Sequence, residues 1–172
     1  GGTPIESVEV TDGELISPPT PPTQTGYGFA GWYSDMGLTT AFDFTTMTIT
    51  NNITLYAKWN KNTYTVTFNT GVGSTVEPQQ VPFGDKAKEP PYPTLDKKVF
   101  GGWYNEAAFT TLFSFSTNIS ANITLYAKWW NEDEVYKINW VLNQGTLANR
   151  PLSVIKGGSL TNPGTPTREV GY

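Results

Sequence analysis

The sequence predicts a mainly β fold (small α+β), organised as tandem repeats of about 70 residues. Three observations carry this reading. Two separated blocks recur in the same order: Phe29-Ala30-Gly31-Trp32-Tyr33 returns as Phe100-Gly101-Gly102-Trp103-Tyr104, and Asn52-Ile53-Thr54-Leu55-Tyr56-Ala57-Lys58-Trp59 returns as Asn122-Ile123-Thr124-Leu125-Tyr126-Ala127-Lys128-Trp129. Large apolar residues alternate with Thr or Lys in several segments, and no stretch sustains the 3.6-residue spacing of an amphipathic helix. Composition agrees, because 14% aromatic residues with 17 Gly and 13 Pro favour short strands joined by turns.

The repeat extends beyond those blocks. Trp32 and Trp103 lie 71 residues apart, Trp59 and Trp129 70 apart. The residue lost in between falls where Thr45-Thr46-Met47-Thr48 faces Ser116-Thr117-Asn118, a loop adjustment that costs little. Upstream, Val10, Gly13, Pro19 and Pro22 recur as Val81, Gly84, Pro90 and Pro93, and again as Val154, Gly157, Pro163 and Pro166. Tyr64-Thr65-Val66-Thr67-Phe68-Asn69 lines up with Tyr136-Lys137-Ile138-Asn139-Trp140-Val141. Three domains follow: residues 1–60, a first repeat lacking its opening strand; 61–130, a complete second repeat; and 131–172, the N-terminal part of a third. Because both ends fall within a unit, the sequence reads as a cut from a longer array.

The complete repeat can be taken element by element. Tyr64 to Phe68 has the period-two pattern of a half-buried strand, and Asn69 to Gly73 has the residues of a turn. Val76 to Val81 is expected to return as a hairpin-paired strand that Gly84 ends. Glu89-Pro90-Pro91-Tyr92-Pro93 must run extended, since proline suits neither helix interior nor central strand. Phe100 to Tyr104 reads as a short strand with Phe100, Gly102 and Tyr104 on one face and Gly101 and Trp103 on the other. Its glycines leave room for the Trp103 ring or for close backbone approach. Ala107 to Phe113 is the one segment with room for a helical turn. Ile123 to Trp129 is the clearest strand, directing Ile123, Leu125, Ala127 and Trp129 to one side.

A unit of this size is near the lower limit for a self-sufficient core, and with no Cys it has no disulfide to help. Its rings must therefore supply the buried area, roughly 150–250 Å² each. Trp32, Trp59, Trp103, Trp129, Phe29, Phe100, Leu55 and Leu125 are the expected structural core.

The same composition removes whole classes of chemistry. With no His and no Cys, zinc fingers, iron–sulfur clusters and Ser–His–Asp triads are excluded, and no cofactor or metal is expected. A net charge of −4 without a basic stripe gives no footing for nucleic acid. No apolar run approaches the ~18 residues of a spanning helix, so no membrane insertion is expected of this segment. Glu132-Asp133-Glu134 is the one acidic cluster and lies at a junction without ligand-loop spacing, which makes it a solvated linker. The Pro-x-x-Pro pairs at 19/22, 90/93 and 163/166 keep a fixed place in each repeat, as structural crossovers do. Lys58 and Lys128 recur on the outward face of the last strand, where lysine guards against edge pairing. Trp130 breaks the repeat, since Asn60 stands at its place in the first unit. It and Trp140 are the candidate binding residues, with packing between neighbouring repeats as the competing role for Trp130.

Phe-x-Gly-Trp-Tyr followed about 20 residues later by Ile-Thr-Leu-Tyr-Ala-Lys-Trp resembles the Listeria–Bacteroides repeat family, the internalin-type B-repeat of bacterial surface proteins. The upstream Val-x-x-Gly, the paired prolines and Pro166-Thr167-Arg168-Glu169-Val170-Gly171-Tyr172 fit it too, so the likeness covers essentially the whole chain. The resemblance implies a β-grasp-like (ubiquitin-like) fold strung in tandem, extracellular, on the bacterial cell surface or secreted. It implies no catalysis, a role as spacer or stalk, and a possible adhesion surface. Its implied partners are neighbouring repeats of the same chain and a host-cell or matrix protein or glycan. Pro18-Pro19-Thr20-Pro21-Pro22 departs from the pattern where a β-grasp carries its short helix. The incomplete outer repeats raise a last expectation: Tyr136 to Leu142 donated to another chain's first repeat would give head-to-tail self-association.

Overall fold

The computed structural model describes residues 2–137, 153–156 and 158. These residues are mainly β. The strands are β1 (Tyr27–Tyr33), β2 (Tyr56–Lys61), β3 (Thr63–Asn69), β4 (Gln79–Pro82), β5 (Lys98–Tyr104), β6 (Ile123–Asn131), β7 (Val135–Lys137) and β8 (Ser153–Ile155). The helix among the described residues is one 3-10 turn, Glu132–Glu134, where the Asn131 amide donates to the Glu134 carboxylate at 2.9 Å. Of the stretch Tyr136 to Leu142, residues 138–142 lie outside the described residues.

The strands form three sheets: β1 with β2, β7 with β8, and a four-stranded sheet in the order β4-β3-β6-β5. Within the last, β3 and β6 run parallel, with Val66 opposite Ile123 and Phe68 opposite Leu125, while β5 is antiparallel to β6. A parallel pair needs a long crossover. The intervening β4, the proline stretch and β5 supply it, so the opening and closing strands of the second repeat meet at the centre of its sheet.

The described chain divides into two compact parts. One takes the chain up to Tyr64 together with Val81–Asp85 and Asn118–Ala121. There β1 pairs antiparallel with β2, and Phe29 packs edge-on against Trp32 at 5.4 Å and Trp59 at 5.6 Å between ring centroids. Phe83 joins this part from later in the chain. Its ring lies 5.8 Å from that of Tyr27 and 6.4 Å from that of Tyr64, and its amide donates to the Asn62 carbonyl at 2.8 Å. Gly26, at φ +78°, passes so close beneath the Phe83 ring that a Cβ there would collide with it. Lys61 and Asp85 form an exposed ion pair at 2.7 Å, a class that adds little to stability because solvent screens it.

The other part holds Thr65–Gln80, Lys86–Thr117 and the chain from Asn122 on. Its core is Val66 and Leu125, both fully buried, with Trp103, Phe68, Phe100, Ala127 and Phe113 close behind. Phe100 touches three rings: Trp103 at 5.3 Å, Tyr92 at 5.4 Å and Trp129 at 5.7 Å. The Trp129 indole N–H donates to the Thr70 carbonyl at 3.0 Å. Of the residues expected in the core, Trp103, Phe100 and Leu125 are buried, while Trp32, Trp59, Trp129, Phe29 and Leu55 are half-buried.

The repetition is visible bond by bond. Phe42 N–H donates to the Trp32 carbonyl as Phe113 N–H does to that of Trp103, both at 2.8 Å. Ile49 N–H donates to the Glu14 carbonyl as Ile119 N–H does to that of Asp85, again at 2.8 Å.

Three local expectations need correction. The simple alternation expected over Phe100 to Tyr104 is broken by a bulge between Phe100 and Trp103, with Gly102 at φ +107°. The extra residue turns Phe100 and Trp103 inward together. The same bulge occurs between Phe29 and Trp32, with Gly31 at φ +113°. Second, Ala107 to Phe113 forms no helix: Phe109 takes φ +55° and closes a turn by donating its amide to the Glu106 carbonyl at 3.0 Å. Third, the returning strand is β4 alone, shorter than Val76 to Val81. Pro78 has no amide to give a ladder. Ser74 is already bonded to Thr94 through its amide and its hydroxyl, each at 2.8 Å.

Two predictions follow from this packing. Trp103→Ala should lower unfolding free energy by about 3–5 kcal/mol in urea melts, and Trp32→Ala by less, because its ring is half-buried. An unmoved midpoint for Trp103→Ala would remove that ring from the core. The second concerns acid. The Asp35 carboxyl accepts the Thr40 amide at 2.7 Å and the Thr39 amide, and the Asp43 carboxyl accepts the Thr45 hydroxyl at 2.6 Å and its amide. These bonds hold both carboxyls below the ordinary carboxylate pKa. Their contribution is therefore present above that pKa and is lost as pH falls through the depressed folded-state values. Asp35→Asn combined with Asp43→Asn should flatten the acid limb of melting temperature against pH; a limb of unchanged slope would contradict the assignment.

Candidate functional site

Alternation along β6 sends Leu125 and Ala127 inward and leaves Lys128 and Trp130 on other surroundings. Lys128 and Trp130 are two apart on one strand, so they share a face. The Lys128 ammonium lies 4.1 Å from the centroid of the Trp130 ring, 5.2 Å from that of Tyr104 and 5.8 Å from that of Phe109. Tyr104 comes from the end of β5, opposite Tyr126 in the ladder. The turn at Glu106–Phe109 carries Phe109 back so that its ring meets Tyr104 edge-on at 5.7 Å. Thr110 holds that turn by donating its hydroxyl to the Glu106 carboxylate, the main reason the Glu106 carboxyl sits below its ordinary pKa. Burial raises the Tyr104 phenol above its ordinary value.

The two glycines before Trp103 each lie against a side chain from elsewhere in the fold. A Cβ on Gly101 would collide with the Trp130 indole, and one on Gly102 would come within 2.8 Å of Leu112. Trp130 is half-buried, stands opposite Val99, and has Lys128 over its ring. Trp140, the other candidate, lies outside the described residues. Glu132, Asp133 and Glu134 are exposed in their 3-10 turn.

The first repeat carries a reduced version of the cluster. Lys58 lies 4.8 Å from the Tyr33 ring centroid and donates to its phenol oxygen at 3.3 Å. Leu38, at φ +54°, stands where the second repeat has Phe109, and Asn60 stands where it has Trp130. Tyr104 and Phe109 escaped the sequence reading. The signal that could have found Phe109 is the second departure from the repeat beside Trp130: two aromatic replacements that the turn brings onto one lysine.

Chemically, the cluster is a cation held among three rings, with half-buried aromatic edges around it. It offers stacking surface and hydrogen-bond donors to a ligand. Among the described residues no three of His, Cys, Asp and Glu come together as metal ligands, and no helix is long and apolar enough to cross a membrane.

Comparison with known proteins places these features. The sequence model of the Listeria-Bacteroides repeat domain matches residues 1–58 and 64–128. The chain is 39% identical over 170 residues, 98% of its length, to a putative membrane protein of Evansella cellulosilytica. It is 39% identical over 147 residues, 85% of its length, to a putative Gly-rich membrane protein of the same organism. Against Internalin H of Listeria monocytogenes it is 39% identical over 130 residues, 74% of its length. The chain spans 25%, 17% and 23% of these relatives. No solved structure matches it.

A double-mutant cycle tests the cluster. Lys128→Met and Trp130→Ala should show a coupling of about 0.5–1 kcal/mol in urea melts, the size of an exposed cation–π contact. Strict additivity would mean that the ammonium and the ring stand side by side without attraction.

Proposed function

The chain belongs to the Listeria-Bacteroides repeat family, and from that membership we propose that it is a non-catalytic, extracellular repeat segment of a bacterial cell-surface protein. It acts as a spacer or stalk, with the faces of its repeats available for adhesion. We take 1–60, 61–130 and 131–172 as successive repeats. The observation that carries this is the repetition of the backbone framework itself: the same bulge, the same turn and the same long-range amide bonds recur in two repeats. What recurs is a scaffold. Repeats whose stability is shared with their neighbours suit a module whose task is reach. The name Internalin H on one relative and the name membrane protein on two others support a place at the cell surface.

A second reading is supported by a separate observation, the aromatic cluster on Lys128 that the second repeat has and the first does not. In it the chain is a recognition module for a glycan or a host-cell or matrix protein, with Trp130 and Trp140 among the contact residues. Binding to arrays of glycans and extracellular-matrix proteins separates the two readings, with Trp130→Ala alongside. The spacer role predicts silence across the array for both proteins. Saturable binding that falls tenfold or more with Trp130→Ala would replace it with the recognition role.

A further inference from the structure

One loop of the second repeat is built into the first compact part, where Val81–Asp85 and Asn118–Ala121 lie with the chain up to Tyr64. Its own repeat braces it. The Gly84 amide donates to the Ile119 carbonyl and the Ile119 amide to that of Asp85, both at 2.8 Å, and Ile119 is 2% exposed. From this brace Phe83 reaches Tyr27 and Gly26 of the first repeat. Its ring meets those of Tyr27 and Tyr64 edge-on, over a buried Gly26 whose φ of +78° and lack of a Cβ leave the ring its place. Beneath the ring runs a relay of backbone bonds. The Phe83 amide donates to the Asn62 carbonyl at 2.8 Å, and the Asn62 amide donates to the Gly26 carbonyl at 2.9 Å.

The loop backbone is a fixed feature of the repeat, and its tip is not. Gly13 takes φ +81° where Gly84 takes +79°. The Gly13 amide donates to the Ile49 carbonyl at 2.8 Å, as that of Gly84 does to Ile119. The residue before that glycine is Asp12 in the first repeat, Phe83 in the second and Lys156 in the third. A ring at this tip is therefore not required to form the loop. Its contacts are with Tyr27, Tyr64 and Gly26, so its effect is on what those residues belong to.

The strands give the tip a path to the second repeat. Phe83 directly follows β4, which pairs with β3 in the four-stranded sheet, and Tyr64 is the second residue of β3. Opening that sheet would free both strands, and with them two of the three rings that meet at Phe83. We propose that Phe83 is a coupling residue, which makes the stability of the β1–β2 pair conditional on the four-stranded sheet of the second repeat. The Lys61–Asp85 ion pair is exposed and screened, which leaves the ring and the backbone relay to carry the effect. Such coupling is reciprocal, so opening β1–β2 also weakens the hold on the end of β4. This goes beyond the spacer reading and does not depend on it.

The test is residue-resolved amide exchange on the full 172-residue chain. Leu125→Ala, in β6, should speed exchange in β5 and β6 and, through Phe83, at least tenfold in β1 and β2. With Phe83→Ala added, β1 and β2 should exchange no faster with Leu125→Ala than without it. Should Phe83→Ala alone abolish protection in β1 and β2, Phe83→Leu takes its place in the cycle and should cut the transmitted effect severalfold. Exchange in β1 and β2 that ignores Leu125→Ala while Phe83 is present would overturn the proposal. So would an equal response with and without the Phe83 ring.

Discussion

The parallel pairing of β3 with β6 is the interaction on which the rest of the second repeat depends. It joins the first and last strands of the unit, so every intervening segment belongs to the crossover between them. Val66 and Leu125, on this seam, are the largest fully buried side chains among the described residues. Ile-Thr-Leu-Tyr-Ala-Lys-Trp occurs twice with identical sequence, yet it begins a nine-residue strand in β6 and is only partly strand at β2. Local propensity is the same in both places. The difference is the neighbour, as expected when strand preference expresses packing on a half-buried surface more than an intrinsic backbone choice.

The second constraint is the bulge that each repeat places between its Phe and its Trp. One extra residue at a glycine with positive φ turns both rings toward the same side, where they meet at 5.4 Å in the first repeat and 5.3 Å in the second. An L side chain at Gly31 or Gly102 would strain that backbone. The Trp103 indole N–H is buried without a hydrogen-bond partner among the described residues, so this ring contributes through apolar packing against Phe68 and Phe100. Trp129 differs: its N–H ties β6 to the Thr70 carbonyl, and its ring fills the space over Gly73, where a Cβ would come within 2.5 Å. The first repeat keeps the same fit, since a Cβ on Gly2 would come within 2.5 Å of the Trp59 ring.

Self-similarity made the strands in Phe-x-Gly-Trp-Tyr and Ile-Thr-Leu-Tyr-Ala-Lys-Trp legible from residues alone, because a pattern that occurs twice is filtered of accident, but not that the two strands pair. It could not reveal the inward face of β5. A bulge adds one residue to the period, and the two glycines that permit it read equally well as room for Trp103. The turn at Phe109 was hidden for a similar reason: Phe is a rare occupant of positive φ, and nothing local distinguishes it from the first residues of a helix. Trp130 was marked by its failure to repeat, but its lysine was not, since Lys128 repeats faithfully and changes its surroundings only because Phe109 and Trp130 arrive beside it.

That contrast separates what the repeat must keep from what it is free to change. The residues common to both repeats build the bulge and the segment from Ile53 or Ile123 to Trp59 or Trp129, and altering them would cost the fold. Leu38 against Phe109 and Asn60 against Trp130 are changes at half-exposed or exposed positions around a conserved lysine, where substitution costs little stability. A different kind of variation couples neighbours. Phe83, from the second repeat, packs on Tyr27 and Tyr64 over Gly26, while Asp85 pairs with Lys61, so the first compact part is completed by residues more than fifteen positions beyond its last strand. The equivalent bond recurs one repeat later, where the Lys156 amide donates to the Glu134 carbonyl at 2.9 Å and its ammonium lies 5.6 Å from the Tyr136 ring centroid. A ring on tyrosine has become a cation on tyrosine, while the backbone bond beneath it is unchanged. The backbone bond between Asn62 and Phe83 thus recurs between Glu134 and Lys156, while the side chain above it varies from a ring to a cation.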